Sequence, residues 1–281
     1  MLRPLAPEAG KEKRGRVLVV GGSLQYPGAL LHAARAAARC GAGVVTAASA
    51  RAVVEAIAGR DPNITLLPLA ESQPGTVAVA AAAQLSGALR ERIRALVVGP
   101  GLAHAAGTDD FVVAVLRNAR GLPTVVDADG LNALARTESW TDVVPARCVL
   151  TPHDGEAARL AGRVVPAGAE RIAFAERAAR DWKSVVVLKG PVTVVSDGSK
   201  TFVHDAPNPT LGVGGSGDAL SGAIGAFLAR GLAPLAAAYA AVWVHGRAGA
   251  LLAAEIGETG ALASDIVDAL PRAIREIVEV R

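Results

Sequence analysis

Short, fully apolar runs recur along the chain and alternate with longer amphipathic segments. Seven of the runs have the length of buried strands, and they occupy residues 16–20, 43–47, 64–67, 95–98, 124–126, 148–151 and 184–188. The segments with helical spacing between them occupy residues 29–40, 109–119, 154–160 and 167–181. Because buried strands alternate with helices in this way, the pattern predicts an α/β fold with a mainly parallel central sheet and helices on both faces.

The pattern changes after the last of these strands. Two alternating runs, V-T-V-V and K-T-F-V, flank the turn sequence D-G-S and predict an antiparallel hairpin at the edge of the sheet. Three further helices are predicted over residues 216–230, 235–252 and 263–278. The alanine-rich stretch 70–83 has no clear period and is predicted to be a surface element. No linker divides the chain, so we expect one domain over residues 1–281, with residues 1–15 flexible.

Composition and charge narrow the class of protein. Of the 281 residues, 51% are hydrophobic and only 3% are aromatic, which predicts a large core built from Ala, Val, Leu and Ile. The formal net charge is +3 and the basic residues are scattered, so nucleic acid is not an expected partner. Cys40 and Cys148 form no C-x-x-C pair, which argues against a disulfide framework or a structural zinc site and fits a reducing cytosol.

Nothing in the sequence predicts export or a membrane partner. The basic first residues lack the apolar core of a secretory signal. The longest apolar stretch, residues 233–244, is shorter than the roughly 20 residues that span a bilayer and is predicted to be a buried helix. We therefore expect a cytoplasmic protein.

Polar and glycine-rich clusters follow five of the predicted strands. They are G-G-S at 21–23, G-P-G at 99–101, D-A-D-G-L-N at 127–132, T-P-H-D-G-E at 151–156 and K-G-P-V-T at 189–193. Ligands of open α/β sheets bind outside the carboxyl ends of the strands, so these clusters are expected to line one crevice. A single glycine after a strand is ordinary turn chemistry, and the prediction depends on all five clusters converging.

The most informative stretch is N-P-T-L-G-V-G-G-S-G-D, residues 208–218, which leads into an apolar helix. The free N–H groups and the dipole at the start of such a helix bind phosphate, and the glycines let the backbone approach a ligand closely. Asp218 would repel that phosphate unless it faces the other reactant, so it is interpreted as the base or hydroxyl-orienting group of a phosphoryl transfer. The alternative is that it only complements the helix dipole. With an ordinary pKa of about 3.9, Asp218 would be ionised at pH 7.

Other polar residues at the predicted crevice have two interpretations each. Lys189 follows an apolar strand and either reaches solvent or meets a phosphate. His153 lies in a stiff turn before a helix, where it contacts substrate or is a satisfied loop residue, and Glu156 could orient Mg²⁺ through water. Asp127 and Asp129 could hold metal or cap the next helix, and N-cap is the preferred role for Asp129.

Several familiar site types have no support in the sequence. There is no Walker A sequence, no G-x-G-x-x-G opening a helix after the first strand, and no G-x-S-x-G nucleophile elbow. The remaining histidines lack metal-ligand spacing and are assigned no role; they are His32, His104, His204 and His245.

As an ordered set, these motifs resemble those of one enzyme family. The set comprises G-G-S-L-Q-Y-P-G-A (21–29), V-G-P-G-L (98–102), V-D-A-D-G-L-N (126–132), L-T-P-H-D-G-E (150–156), V-V-L-K-G-P-V-T (186–193) and the glycine-rich stretch 208–218. It is similar to that of the ADP- or ATP-dependent NAD(P)H-hydrate dehydratases of the ribokinase-like superfamily, from about residue 16 to residue 270. G-x-G-D alone indicates only the superfamily, whereas T-P-H-x-G-E with K-G-x-x-T and N-P-x-L separates these dehydratases from sugar and vitamin kinases.

The resemblance implies a ribokinase-like three-layer α/β/α sandwich that repairs NADHX and NADPHX by nucleotide-driven dehydration. It implies ADP as the co-substrate, with ATP as an alternative, and Mg²⁺ as the cofactor. The implied nucleotide contacts are Lys189, Gly190, Pro191, Val192, Thr193 and Gly217. The implied contacts to the hydrated dinucleotide are Ala29, Gly101, His153 and Asp218. Catalysis is assigned to Asp218 with the amides of Gly215, Ser216 and Gly217, and homotetramers are common in the family.

The chain departs from the family pattern at two positions. Asp154 stands where proline is common and adds negative charge beside a phosphate-bearing substrate, and Thr210 stands where Gly or Ala is common. The chain also begins close to the first strand. The epimerase activity that some relatives carry on a fused domain is therefore expected on a separate protein, an NAD(P)HX epimerase. The alternative functions are a ribokinase-like kinase of a small alcohol, of the hydroxymethylpyrimidine or thiazole type, and a non-catalytic nucleotide-binding regulator.

Overall fold

The computed structural model describes residues 8–279, with side chains except at 88, 90, 91 and 279, and its centre is a β-sheet. The strands are β1 (Arg16–Val20), β2 (Val44–Ala50), β3 (Thr65–Leu69), β4 (Glu71–Gln73), β5 (Thr76–Val77), β6 (Ala95–Val98), β7 (Thr124–Val126), β8 (Cys148–Leu150), β9 (Val185–Leu188), β10 (Val192–Ser196) and β11 (Thr201–Asp205). Of the predicted flexible segment 1–15, residues 1–7 lie outside the described part of the chain.

Helices connect the strands and cover both faces of the sheet. They are α1 (Lys11–Arg14), α2 (Pro27–Arg39), α3 (Arg51–Ile57), α4 (Ala81–Glu91), α5 (Thr108–Asn118), α6 (Asp129–Arg136), α7 (Asp154–Ala161), α8 (Ala169–Asp181), α9 (Ser216–Ala229), α10 (Pro234–Ile256) and α11 (Ala263–Glu279).

Within residues 8–279 the main sheet has nine strands, in the order β11-β10-β9-β8-β7-β6-β1-β2-β3. The seven from β9 to β3 pair in parallel, and β10 pairs antiparallel with both β9 and β11. The mainly parallel sheet and its antiparallel edge hairpin are therefore confirmed. Strands β4 and β5 form a separate two-stranded ribbon.

Alternate side chains of each central strand enter two different hydrophobic cores. In β1, Val17 and Val19 join the core beneath α2, α9, α10 and α11, whereas Leu18 and Val20 join the core beneath α4 to α8. A strand buried on both faces has no polar side, which is why these strands are continuous apolar runs in the sequence. The result is the predicted three-layer α/β/α sandwich.

Helix α9 lies at the centre of one layer and buries twelve of its fourteen residues. It crosses α2 so closely that a Cβ built on Gly222 would lie 2.0 Å from the carbonyl oxygen of Ala33. On the sheet side, a Cβ on Gly225 would lie 2.5 Å from Cγ2 of Val97. The small residues of α9 and α2 thus allow backbone contact, and they fix the position of the α9 N-terminus above the sheet.

The predicted apolar helix near residue 240 is longer than the sequence pattern indicates. Helix α10 has 23 residues, and by length and composition alone it could cross a membrane, but 61% of its most apolar window is buried inside the protein. Ala237, Ala241 and Val244 are fully buried against the sheet layer. Helix α10 therefore has the burial of a core helix, as predicted.

All seven predicted strands are present, whereas α3 was not predicted, although Val53, Val54 and Ile57 give it one buried apolar face. The stretch 70–83 is not merely a surface element, since it contains β4, β5 and the start of α4. Val77 and Ala81 from this stretch are buried in the core. Alanine fills helix positions on every side, so the contrast between apolar and polar faces that reveals a helix is weak here.

Candidate active site

Backbone hydrogen bonds continue beyond the ends of the parallel strands and hold the polar clusters side by side. The N–H of Gly99 donates to the carbonyl of Val20 at 3.0 Å, and the N–H of Lys189 donates to that of Pro152 at 2.8 Å. Gly99 has φ +122°, and a Cβ there would lie 1.9 Å from the carbonyl oxygen of Asp127, so only glycine fits. The clusters therefore form one rim at the carboxyl ends of the strands.

Lys189 is the centre of a charged cluster on this rim. Its Nζ lies 2.8 Å from Oδ1 of Asp127 and 3.8 Å from Oε2 of Glu156. Asp127 is 1% exposed, and its Oδ1 also accepts a hydrogen bond from Oγ1 of Thr151 at 2.7 Å. Burial alone would lower the pKa of Lys189, but the two carboxylates outweigh it and raise that pKa, so the ammonium group stays charged.

Glu156 is held by the turn that opens α7. His153 is the N-cap, its Nδ1 accepts the N–H of Gly155 at 3.0 Å, and its own N–H donates to Oε2 of Glu156 at 2.8 Å. This capping box confirms the predicted change from turn to helix at Asp154. Burial raises the pKa of Glu156 although Lys189 opposes it.

Asp129 is not the N-cap of α6, contrary to the expectation from sequence. Ala128 occupies the cap position with φ +48°, and Asp129 is the first helical residue. Its Oδ2 accepts the N–H of Ala103 at 2.8 Å, and its Oδ1 accepts from Nδ2 of Asn132. The left-handed turn at Ala128 directs the carboxylate to the loop after β6, where it satisfies that loop's backbone.

The glycine-rich segment ends in the N-terminus of α9, as predicted. Gly215 is the N-cap in a left-handed conformation with φ +91°. The N–H of Ser216 donates to the carbonyl of Val213 at 3.2 Å, so this amide is already engaged within the turn. A Cβ on Gly217 would lie 3.4 Å from Nζ of Lys189, which places the lysine directly beside the first turn of α9.

Asp218 follows in the same turn and has an unusual acidity. Burial raises its pKa to about 7, the charge of Asp127 adds to the effect, and Lys189 opposes it. Asp129 and Glu156 contribute further repulsion. The expectation of an ordinary, fully ionised aspartate is therefore wrong, because the sequence does not reveal that several carboxylates share one partly buried rim.

Residues of the K-G-P-V-T cluster form the turn between β9 and β10. Oγ1 of Thr193 closes this turn by donating to the carbonyl of Gly190 at 3.0 Å. The turn borders a cavity of about 760 Å³ that extends to Ser216 and Gly217. His153, Lys189, Gly190, Pro191 and Thr193 line this cavity, and residues between 204 and 213 with part of α10 complete its walls.

Two other predicted substrate residues, Ala29 and Gly101, meet at the start of α2. A Cβ on Gly101, where φ is +65°, would lie 2.7 Å from Cβ of Ala29, so these two residues are in contact. His32 lies one turn further along α2, and a Cβ built on Gly215 would lie 3.2 Å from its Cδ2. Ala29 and Gly101 thus lie on the α2 side of the glycine loop, whereas His153 lies on the cavity side.

Two residues without a sequence signal support this arrangement. Nε2 of His245 lies 3.0 Å from both Oγ and the carbonyl oxygen of Ser216. Burial lowers the pKa of His245 to about 4, so its ring is neutral near pH 7. Arg171, 8% exposed on α8, binds the back of the 189–192 turn. Neither residue lies in a recognisable motif, and only the tertiary fold brings them to the site.

Carboxylates are numerous at the rim, but they do not form a metal cage. Among the described residues no three Asp, Glu, His or Cys side chains surround a common point. Asp127 and Glu156 already face the ammonium group of Lys189. This donor set fits an ion that is bound mostly by ligand oxygens and water, with one or two protein carboxylates at most.

Comparison with known proteins identifies similar chains. The profile of a family described as NAD(P)H-hydrate dehydratase matches residues 17–272. The ADP-dependent (S)-NAD(P)H-hydrate dehydratase of Xanthomonas campestris pv. campestris is 39% identical over 273 residues, which cover 95% of this chain and 90% of that protein. The bifunctional NAD(P)H-hydrate repair enzyme Nnr of Moorella thermoacetica is 39% identical over 268 residues, or 94% of this chain and 50% of that protein.

Among solved structures, the chain resembles the ADP/ATP-dependent NAD(P)H-hydrate dehydratase from Bacillus subtilis that was co-crystallised with ATP/Mg²⁺. The TM-score is 0.83 at 30% sequence identity, and the match covers 98% of this chain and 94% of that one. The chain spans about half the length of the bifunctional repair enzymes that it matches, at 50% to 53% of each.

Proposed function

Because the chain belongs to the NAD(P)H-hydrate dehydratase family, we propose that it is an ADP-dependent (S)-NAD(P)H-hydrate dehydratase. It converts NADHX and NADPHX to NADH and NADPH and releases AMP and phosphate. The observation that carries the proposal is the meeting of Lys189, Gly217 and Asp218 at the N-terminus of α9, beside a cavity of nucleotide size. This is the arrangement that phosphoryl transfer to a hydroxyl group requires.

The reaction explains why a phosphoryl-transfer site can catalyse a dehydration. Hydroxide is a poor leaving group at neutral pH. The hydroxyl oxygen of the hydrate forms a bond to the β-phosphorus of ADP as the bond to AMP breaks, and the hydroxyl proton goes to a base. The new phosphate ester then leaves as phosphate, with electron push from the ring nitrogen, and loss of a proton from the adjacent carbon restores the double bond.

Asp218 is the proposed base. A base works best when its pKa is near the working pH, and burial raises the pKa of Asp218 to about 7. The backbone amides of Gly215, Ser216 and Gly217 face the transferring phosphoryl group, and that of Ser216 must give up its bond to Val213 to take part.

Lys189, Gly190, Pro191, Val192 and Thr193 contact the nucleotide, together with Gly217. Ala29, Gly101 and His153 contact the hydrated dinucleotide. Glu156 would hold Mg²⁺ through water. Bound there, the ion would neutralise nucleotide charge that Lys189 alone does not balance.

The proposal also covers the localisation, the partner enzyme and the oligomeric state of the protein. We place it in the cytoplasm, where two buried free thiols, Cys40 and Cys148, stay reduced. Both epimers of a hydrate need repair, so we propose a functional link to an NAD(P)HX epimerase. We also propose a homotetramer, for which Phe202 of the edge strand β11 and Tyr239 of α10 offer an exposed aromatic stack with ring centroids 4.3 Å apart.

The test is the recovery of dihydronicotinamide absorbance in the near ultraviolet. Purified protein is mixed with NADHX and Mg²⁺, with ADP, with ATP and with no nucleotide. Recovery with ADP and release of AMP support the proposal. Recovery with ATP alone would make ATP the phosphoryl donor. A phosphorylated small alcohol as product, with no recovery of NADH, would establish the kinase alternative instead.

A further inference from the structure

The turn that borders the nucleotide cavity has an arginine behind it. The guanidinium group of Arg171 donates to three backbone carbonyls of this turn: Nη2 to Lys189 at 2.8 Å and to Leu188 at 3.4 Å, and Nε to Val192 at 3.2 Å. A Cβ on Gly190 would lie 2.7 Å from Nη2, so the arginine packs directly against the turn. Arg171 is itself 8% exposed and is therefore held in a buried position.

The remaining nitrogen of this guanidinium group binds a second element of the site. Nη1 of Arg171 forms an ion pair with Oδ1 of Asp154, the first residue of α7. Asp154 directly follows His153, whose backbone forms a parallel bridge with Lys189. The charge that Asp154 adds to the site is therefore neutralised by Arg171, and the expected repulsion of a phosphate-bearing substrate is offset.

The direction of these hydrogen bonds matters for an anion. A carbonyl oxygen that points into a phosphate site repels the phosphate, whereas a backbone N–H attracts it. Arg171 draws three carbonyls of the turn towards α8, and Lys189, Gly190 and Thr193 of the same turn line the cavity. An arginine with its planar fork can hold several oxygens at once, which lysine cannot do.

We propose that Arg171 is a positioning residue for the nucleoside diphosphate, and that Asp154 locks it in place. The pair fixes the 189–193 turn with its carbonyls directed away from the phosphates and couples the turn to the start of α7. The inference rests on the proposed nucleotide site, but it concerns affinity for the nucleotide and can be measured without turnover.

Two variants of Asp154 remove its carboxylate and keep the start of α7. Asp154→Asn removes the charge only. Asp154→Pro also keeps the start of α7, because proline is favoured at the first helical position and His153 already has the extended backbone (φ −79°, ψ 173°) that a following proline needs. Arg171→Lys keeps a positive charge and loses the fork. The matched control is Asp109→Asn, which removes another first-turn aspartate, paired with Arg136 at 2.7 Å, away from the nucleotide cavity.

The dissociation constant for ADP is measured by calorimetry in the presence of Mg²⁺ and the absence of hydrate, and steady-state kinetics then give kcat and both KM values. Arg171→Lys is expected to weaken ADP binding about tenfold or more. Both Asp154 variants are expected to weaken it about threefold, since the pair is partly exposed. The KM for ADP rises in parallel, kcat at saturation changes less than about twofold, and Asp109→Asn binds ADP like the wild type.

The outcomes distinguish this inference from the proposed function. ADP binding that responds as expected, in a protein that does not convert NADHX, supports the positioning role and contradicts the dehydratase. Wild-type affinity for ADP in folded Arg171→Lys protein overturns the positioning role. If Arg171→Lys does not fold, unchanged affinity in Asp154→Pro overturns the role of Asp154 as the lock, and weakened affinity supports it.

Discussion

The ammonium group of Lys189 and the carboxylate of Asp127 lie 2.8 Å apart, although 62 residues separate them in the chain. The pair joins the ends of β9 and β7 across β8. It also sets the electrostatics of the rim, because Asp127 raises the pKa of Asp218 and Lys189 lowers it. A change at either residue therefore acts on the proposed base without touching it.

Removing the charge of Asp127 should make Asp218 a stronger acid. In Asp127→Asn the repulsion is lost and Lys189 is left to stabilise the ionised Asp218, so the pKa of Asp218 falls. We expect the acidic limb of the kcat/KM profile to move to lower pH by about one unit. Profiles recorded from pH 5 to pH 9 check this, and Asp109→Asn should leave the limb in place. A limb that moves upward would contradict the electrostatic account.

Replacing the proposed base should lower the activity and raise the stability of the protein at pH 8. Asp218→Asn is expected to lower kcat by about 10² to 10⁴, the usual contribution of a positioned acid or base. The folded pKa of Asp218 is about 7, above the unfolded value near 3.9, so the folded wild type loses stability as pH rises through this window. The variant lacks this loss and should be more stable at pH 8 by up to about 4 kcal/mol.

Urea unfolding at pH 4 and at pH 8 measures this effect, with the difference expected only at pH 8. An Asp218→Asn protein with wild-type turnover would remove Asp218 from the mechanism, and wild-type stability at pH 8 would contradict its raised pKa.

His245 should make the opposite contribution to the pH dependence of folding. Its folded pKa is about 4, below the unfolded value near 6.5, so the unfolded chain binds the extra proton and stability falls as pH decreases from 6.5 to 4. His245→Gln removes up to about 3 kcal/mol of this dependence. The quantity to compare is the difference in unfolding free energy between variant and wild type at each pH, because contributions common to both proteins cancel. A constant difference across the window would show that His245 does not stay neutral.

The contact between α9 and α2 can be tested with two helical glycines. Gly222→Ala places a Cβ 2.0 Å from the carbonyl oxygen of Ala33 and should destabilise the protein by about 3 kcal/mol. A Cβ on Gly87 in α4 would meet no described atom within 4 Å, so Gly87→Ala should be neutral or stabilising by up to about 1 kcal/mol. Thermal unfolding of both variants makes the comparison, and equal effects would mean that the helices can separate at little cost.

Gly101 offers a similar test on the substrate side. An alanine there would meet Ala29 and the carbonyl oxygen of Tyr26, at 2.7 and 2.8 Å, so we expect a KM for NADHX raised about tenfold and an unchanged KM for ADP. Gly121→Ala is the matched control, because Gly121 has a similar positive φ of +84° but no neighbour within 4 Å. A rise in the KM for ADP alone would assign Gly101 to the nucleotide instead.

The sequence predicts those features that depend on local pattern. Strands such as Val185–Leu188 are recognisable because burial on both faces leaves no polar position, and the hairpin is recognisable from its D-G-S turn. The rim was also predictable, because the ends of parallel strands meet at one edge.

Other features depend on partners that are distant in the chain. Neither the pairing of Lys189 with Asp127 nor the contact of Arg171 with the 189–192 turn follows from spacing, because each joins separate elements. The acidity of Asp218 likewise depends on burial and on three other carboxylates. Helix α4 was missed because alanine hides its apolar face.

The burial of α9 also bears on how the protein comes apart. Segments with few buried contacts open locally, whereas a helix buried along nearly its whole length exchanges its amide hydrogens only when the whole domain unfolds. The buried turns of α9, from Ala219 to Ala229, therefore belong to the most protected unit of the chain, whereas the amides of its first turn lack helical partners and exchange earlier. The loops around the site can open on their own, but the helix that carries Asp218 keeps its position for as long as the fold does.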